Sequence, residues 1–405
     1  MEIPQASPPA ASAATPGRAA RLVLFITVFL DLLGFGIVIP FLPMYAERLG
    51  VGAGAIGLIL AAYSAMQFIC APLLGRLSDR IGRRPVIMVG LFGSSLSYAI
   101  YAFADSFAGL LISRAVHGAC AATISTAQAY VADTTEEAKR AHAMGMIGAA
   151  FGLGFVLGPA LGGLLGASSL RRPVLFAAAL TFANLIFAAV RLPESHWQDR
   201  HPQPHRAVAG WRPPLLRSLQ RHRAIAPLLA VAFLLTFAIA ALEATFALTV
   251  PAVYGYAAAG VGGLLAFAGL TQAFAQGYLI GKLAPRTGES ILLAAGAALL
   301  AAGLAPFGSW PSHTALYAML VLIAFGYGFG STAAAALISR RTGRELQGEA
   351  LGLNQSVLSL ARIVGPLAGG VLYQAMGPAA PYRGAAVVAA VAMALALGMG
   401  HSRAV

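Results

Sequence analysis

Charge is what this chain has least of. Only 10% of its 405 residues are Asp, Glu, Lys or Arg, against 59% that are hydrophobic. That is too little charge to coat a water-soluble globule of this length, so lipid must be the solvent for most of the surface. Cysteine is nearly as scarce: Cys70 and Cys120 are the only two. Both fall in apolar stretches, so they read as packing residues and exclude a disulfide framework or a thiolate metal cluster. Signatures of bond-making chemistry are also missing. GYLIGKL (277–283) lacks the glycine spacing and the Ser or Thr of a phosphate-binding loop, and GYGFG (326–330) sits in an apolar run without a preceding strand. There is no GxSxG nucleophile and no HExxH pair. An ATP-driven machine, a hydrolase and a metalloenzyme are set aside; the chain is not read as an enzyme, and no cofactor or metal is expected.

What is present is a series of long apolar runs. Twelve occur, at approximately 22–44, 54–74, 85–104, 107–131, 143–167, 174–191, 225–250, 261–283, 290–308, 314–338, 347–373 and 383–401. Each suffices to cross about 30 Å of hydrocarbon as a helix. The runs are twice the length of a membrane strand and rich in Ala, Leu and Gly without alternation, which disfavours a barrel. The expected class is all-α integral membrane with twelve transmembrane helices.

The net charge of +13 does not point to nucleic acid. Of the 27 Lys and Arg, all but Arg48, Arg114, Arg171, Arg172, Arg362 and Arg383 fall on the side of the membrane that holds the N-terminus. By the positive-inside rule that side is cytoplasmic, and both termini are placed there. Residues 1–20 are rich in Pro, Ala and Ser and are expected to be disordered. A cleaved signal peptide is not expected, because span 1 carries Asp31 and runs on to Pro43.

The longest polar interruption lies between spans 6 and 7. It divides the chain into a bundle at 21–191, a cytoplasmic linker at 192–223 and a second bundle at 224–405. The halves are copies. GFVLGPALGG (154–163) and ARIVGPLAGG (361–370) coincide at an offset of 207, and GRLSDRIG (75–82) and GKLAPRTG (281–288) at 206. Paired halves suit a transporter in which a central site opens alternately to either side.

Several residues carry this reading. Gly154, Gly158, Gly162 and Gly166 form a smooth stripe on span 5 that another helix approaches closely, with Pro159 bending it and Gly163 beside it; Gly365 and Pro366 repeat the motif in span 11. The stripe is expected to pack helices and to serve as a gating seam. After span 2, Gly75, Asp79, Arg80, Gly82 and Arg83 compose a loop in which an acid beside arginines latches one conformation; Pro285 replaces the acid in the second copy. Charges inside spans matter most, since one at the bilayer centre costs roughly 2.5–3.5 kcal/mol. They are Asp31, Arg114, Glu243 and Arg362. His117, Ser125 and Gln128 share a face of span 4 with Arg114, and Gln355 and Ser359 share one of span 11 with Arg362. These faces are expected to line a central cavity, together with Phe267, Thr271, Gln272, Phe274 and Gln276 of span 8, whose aromatic rings suit a flat or lipophilic ligand. Asp31 and Glu243 are candidates for proton binding.

On these motifs the chain resembles the major facilitator superfamily, whose fold is two six-helix bundles related by a pseudo-two-fold axis. GRLSDRIGRRP resembles the signature after span 2, GFVLGPALGG the span 5 motif of exporters, and the segment from Arg114 to Gly118 the span 4 motif. LDLLGFGIVIPFLP (30–43) and AYVADTT (129–135) are similar to the tetracycline-resistance-like branch of its twelve-span drug:proton antiporters. The resemblance implies that Asp31 is the membrane acid of span 1, that Arg114 serves proton coupling and tunes the nearer acid, and that Asp79 and Arg83 are the conformational latch. It departs from that branch at Ser97, where an acid is usual in span 3, and in span 9, which has no acid. The expected function is a monomeric inner-membrane antiporter that exchanges protons for a small lipophilic or cationic molecule, with membrane lipid as its other partner. A metabolite transporter of the same fold, for a sugar, amino acid or siderophore, and a transport-dead membrane sensor remain open alternatives.

Overall fold

The computed structural model describes residues 18–135, 137–195, 225–342 and 346–401. Residues 1–17 of the expected disordered N-terminus and 196–223 of the expected linker lie outside the described residues; residues 18–20, expected to be disordered, instead open the first helix. Within them, every long element is a helix. The first, α1, runs over Arg18–Val38 and continues through a 3-10 turn at Ile39–Phe41, set by Pro40, into Leu42–Arg48. The next five are α2 (Ala53–Ile81), α3 (Arg83–Ala102), α4 (Phe107–Cys120 and Thr123–Thr134), α5 (Glu137–Gly166) and α6 (Arg171–Arg191). The second half holds α7 (Ala226–Tyr254), α8 (Ala258–Phe274, continued to Thr287), α9 (Glu289–Leu304), α10 (His313–Arg341), α11 (Gln347–Met376) and α12 (Ala380–His401).

These twelve helices match the twelve apolar runs in order. Eleven are long and apolar enough to cross a membrane. The exception is α9, whose 16 residues span about 24 Å. The run that extends to residue 308 in the sequence leaves the helix at Leu304 and finishes as a turn. Gly308, with φ +74, closes that turn against the carbonyl of Pro378, and its N–H donates to the Tyr254 hydroxyl. Large apolar side chains such as Leu73, Phe92, Ile112, Phe182, Val190, Ile291 and Val387 are exposed along the helices. That is the pattern of a lipid-facing surface.

The two halves pack alike. Helix α1 lies on α5 and α6, α3 on α4 and α6, and α2 on α4; in the same order α7 lies on α11 and α12, α9 on α10 and α12, and α8 on α10. Two seams join the halves, α2 with α11 and α5 with α8.

The repeated Gly-Pro motif divides its work between adjacent residues. Gly154, Gly158 and Gly162 face α1, where an added Cβ would fall 2.8 Å from Leu32, 2.6 Å from Gly36 and 2.5 Å from Ile37. The stripe expected to form a gating seam is therefore a clamp inside its own half. The residues one step around the helix cross the seam instead: the Pro159 carbonyl seats Gly262 of α8, and Gly163 meets Ala258 and Gly262. Span 11 repeats this. Gly365 and Gly369 face Ala240 and Ala241 of α7, while the Pro366 carbonyl seats Gly57 of α2 and Gly370 meets Ala53. A backbone this close tolerates only glycine.

The seams are tight at one end only. The contacts at Gly57, Gly163, Gly262 and Gly370 all lie toward the end holding the start of α2, and there Gly54 N–H donates to Gln374 of α11 at 2.9 Å. At the other end, a Cβ added to Gly75, Gly145, Gly148, Gly152, Gly277 or Gly281 meets nothing within 4 Å. The bundle is closed at one end and open at the end that carries Arg18. Toward the open end α2 contains Pro72, and α8 widens into a π-helix over Ala275–Leu279. By the offset of 206, Pro72 corresponds to Tyr278, so the same stretch holds a proline within the helix in one half and a wide turn in the other.

Candidate substrate and proton site

The apolar core of the second half is one continuous cluster from Ile225 to Ala396. In the first half it is split. One cluster runs through Ile37, Phe41, Ile56 and Tyr101, another through Leu24, Ile87, Tyr130 and Ile147. Between them lies a polar layer of Ser94, Ser97, Ser113, Arg114, His117, Thr123 and Thr126, each less than 5% exposed, beside the half-buried Asp31.

Arg114 is fully buried. Its guanidinium lies over the rings of Tyr98 and Tyr101, 5.8 and 5.7 Å from their centroids, and donates to the Ser97 hydroxyl at 3.2 Å. Among the described residues it has no carboxylate partner within salt-bridge distance; aromatic faces and hydroxyls hold this cation. Asp31 faces the hydroxyls of Ser94 and Thr123. His117 is ringed by Phe35, Tyr63 and Tyr98, with centroids 5.0 to 5.9 Å away. Gly118 beside it lets α4 settle on the backbone of Tyr63.

The expected continuous polar face of span 4 is interrupted. Helix α4 breaks after Cys120, at Ala121 with φ −77 and ψ 56. Arg114 and His117 lie before the break and are buried within the bundle, rather than lining an open cavity; Ser125 and Gln128 lie after it and are exposed. On α11, Gln355 and Arg362 are exposed and Ser359 half-buried, on the face that one turn later places Pro366 against α2. Glu243 is exposed in the middle of α7. It interacts electrostatically with Arg362, which also acts on Tyr63 of the first half. Side chains this deep that keep accessible surface and act across the two halves face a cleft between them. Glu243 and Arg362 are close enough to sense each other but form no ion pair, so of the four charges inside the spans Arg114 is buried, Asp31 is half-buried, and Glu243 and Arg362 are accessible.

Span 8 also separates. Phe267 packs edge-on against Tyr317 of α10 and belongs with the core, and Thr271 donates to its carbonyl. Gln272 and Gln276 approach Gly328 of α10. Phe274 is exposed and stacks on Tyr278. Phe267, Thr271, Gln272 and Phe274 all precede the wide turn, which holds only Gln276, and the five side chains do not share one face.

At the open end, Arg83 joins three elements. It bonds Asp79 and the Ser78 hydroxyl at the end of α2 and Asp133 of α4, the last at 2.8 Å. Its side chain is 12% exposed, against 63% for Asp79 and 32% for Asp133. Glu194 accepts the backbone N–H groups of Arg83 and Arg84, capping α3 from the end of α6. Gly82, at φ +102, has no room for a Cβ beside that carboxylate. Arg80 is exposed. The bonds of this cluster between described residues lie within the first half. At the matching place in the second half, Glu289 pairs with Arg340 at 3.1 Å; by the repeat offsets these are the counterparts of Arg83 and Asp133, with the charges exchanged.

Asp133, Glu194, Gln374 and the tyrosines around Arg114 were not singled out from sequence. Asp133 alone left a trace, inside AYVADTT. The others are single residues whose partners lie on other helices, 111 positions away for Glu194 and 320 for Gln374.

Comparison with known proteins agrees with this architecture. The family model of the Major Facilitator Superfamily matches residues 24–365 and, overlapping, 269–401. The chain is 36% identical to the class C tetracycline resistance protein of Escherichia coli, over 88% of this chain and 90% of that one. It is 29% identical to multidrug resistance protein 2 of Bacillus subtilis (strain 168), over 87% and 88%. Among solved structures, the human organic anion transporter MFSD10 (TETRAN) superposes with a TM-score of 0.67 at 27% identity, covering 94% of this chain and 99% of that one. A multi-pass helical membrane protein with two superposable halves and these relatives has one family to which it can belong: the chain is a member of the Major Facilitator Superfamily, in its tetracycline-resistance-like branch.

Proposed function

We propose that this chain is a proton-coupled efflux antiporter of the bacterial inner membrane, exchanging inward-moving protons for a small lipophilic or cationic compound by alternating access. The observation that carries the reading is a cleft open at one end, into which Glu243 and Arg362 project without pairing, set against a half-bundle that holds Asp31 in a polar layer. Two relatives are named for tetracycline and multidrug resistance, which supports a drug as the cargo. With the Lys- and Arg-rich side in the cytoplasm, the open end is cytoplasmic and the conformation inward-facing. Both termini then lie inside, and the transporter works as a monomer of two bundles, 21–191 and 224–405.

In this mechanism Asp31 and Glu243 carry or gate protons. A carboxylate facing the cleft accepts either a proton or the charge of a cationic occupant, and that competition couples the two flows. Arg114 supports the polar layer around Asp31, while His117, Ser125, Gln128, Gln355, Ser359 and Arg362 contribute to recognition. Reconstituted vesicles with an imposed proton gradient test the proposal through efflux of tetracycline and of a fluorescent lipophilic cation. Full coupled export by the Asp31→Asn, Glu243→Gln double variant sinks the proton-carrier assignment. Absence of flux for either compound, in protein that binds neither, sinks the drug-export reading.

A second reading, export of an organic anion, is favoured by the unpaired Arg362. It predicts that Arg362→Gln abolishes flux of an anionic dye and leaves flux of a cationic one intact.

A further inference from the structure

Midway along α4 the helix stops and starts again, although nothing local demands it. Cys120, Ala121 and Ala122 include neither Gly nor Pro, and alanine is the strongest helix former. Interrupting a helix at membrane depth strands backbone groups and is tolerated only where protein or water receives them. Here the Ala121 carbonyl accepts from Gln67 of α2 at 3.3 Å, and the Ala122 carbonyl accepts from the Ser125 hydroxyl at 3.0 Å. Helix α3 is shaped to the break: a Cβ on Gly90 would lie 2.6 Å from Thr123 Oγ1, and one on Gly93 2.3 Å from Cys120.

The second half-helix begins at Thr123 and points its N-terminus into the polar layer. Its first N–H groups lack partners within the helix and carry the positive end of its dipole, an environment that favours an anion. Asp31 is the acid there, beside Thr123 and beside Ser94, one turn along from Gly90. Thr123 Oγ1 and Thr126 Oγ1 are buried, 3% and 2% exposed by residue, and neither makes a hydrogen bond of ordinary geometry to any other described group. Thr123 is the first residue of the half-helix and its hydroxyl faces the Asp31 carboxylate, so it links that acid to the start of the half-helix.

Internal comparison isolates the feature. The second half runs α10 without a break through Gly328, the counterpart of Ala121, and has Phe237 where the first half has Asp31. The break and the acid occur together in one half and are both absent from the other.

We propose that the break in α4 exists to hold the Asp31 carboxylate at the N-terminus of the half-helix Thr123–Thr134, with Thr123 as its positioning residue. This rests on the reading of Asp31 as a proton carrier. Other titratable groups about Asp31 are Tyr63 of α2 and Tyr98 of α3, which interact with it electrostatically, and Arg114 and His117 on the first half of α4. Among the described residues, α5 and α6 contribute uncharged neighbours to this stretch of α1, Gly154 beside Leu32 and Asn184 on the Thr27 carbonyl.

The test is proton-coupled efflux from proteoliposomes across a pH series, for wild type, Thr123→Val, Thr123→Ser and Asp31→Asn. Removing the hydroxyl weakens the hold on the charged carboxylate, so Thr123→Val moves the pH profile upward by about half a unit, a factor of about three in proton affinity. The KM for drug stays within twofold, and Thr123→Ser returns the wild-type profile. Thr123→Ala gives the same readout if the valine variant does not accumulate. A wild-type profile for Thr123→Val or Thr123→Ala, alongside loss of coupling in Asp31→Asn, overturns the inference and leaves the proton-carrier reading standing. Retained coupling in Asp31→Asn overturns that reading and the inference with it.

Discussion

Adding one methyl group at Gly57 should open the transporter from the wrong end. An ideal Cβ on Gly57 would sit 2.3 Å from the Pro366 carbonyl oxygen, where ordinary contact begins at 3.4 Å. Both atoms are fixed to backbone, so no rotamer change relieves the overlap, and α2 and α11 must separate by about 1 Å. Overpacking of this kind costs about 1–3 kcal/mol, charged entirely to the conformation in which the seam is closed. That shifts the balance toward separation at the closed end by about 5- to 150-fold. Spin labels at Glu47→Cys and Met376→Cys, in a background lacking Cys70 and Cys120, report the separation as a distance distribution. Gly57→Ala is expected to populate a longer distance, as is Gly262→Ala on the opposite seam, whose Cβ would lie 2.3 Å from the Pro159 carbonyl. Gly145→Ala, with open space around it, should change nothing. An unaltered distribution in Gly57→Ala, with the protein folded, would refute the assignment of this contact as the outer gate.

The same geometry sets the outcome of three other perturbations. Gln374→Ala removes the hydrogen bond to Gly54 and should shift the same label pair in the same direction, by about 2- to 10-fold for a bond worth about 0.5–1.5 kcal/mol. Arg114→Met replaces a fully buried cation that has no carboxylate; its thermal midpoint should be unchanged or higher while transport falls at least about tenfold, since desolvated charges are often replaced by apolar residues without loss of stability. A fall in the midpoint would assign Arg114 a structural role. Asp133→Asn should lower the thermal midpoint more than Asp79→Asn, because the Asp133 end of the Arg83 bridge is the better shielded and exposed pairs contribute only about 0.2–1 kcal/mol.

The elements that were legible in the sequence are those written in long-range composition. Continuous apolar runs announced the spans, and an offset of 206 or 207 announced the two halves. Buried charge was legible residue by residue, because its cost marks it wherever it falls. Direction was not legible. The stripe at Gly154, Gly158 and Gly162 reads as a seam until the structure shows it facing α1, and only the adjacent Pro159 and Gly163 cross to α8. Arg114 and Asp31 look like partners by helix depth, yet Tyr98 and Tyr101 take the guanidinium. The break at Ala121 has no Gly or Pro at Cys120–Ala122 to announce it, and the residues that accommodate it, Gln67, Gly90 and Gly93, lie on other helices. The wide turn in α8 likewise has no Pro or Gly-Gly to announce it.

The ion pair that clamps α3 to α4 has a twin with its signs exchanged: Arg83 with Asp133 in one half, Glu289 with Arg340 in the other. A duplicated gene starts with identical polarity, so reversing one copy requires at least two substitutions, passing through a like-charged or neutral intermediate. Such drift is tolerated only if each pair answers to its own bundle and to no fixed charge across the seam. The polarity is thus a historical accident and the pairing is the requirement. Exchanging the residues, Glu289→Arg together with Arg340→Glu, should yield a working transporter where either change alone is the poorer.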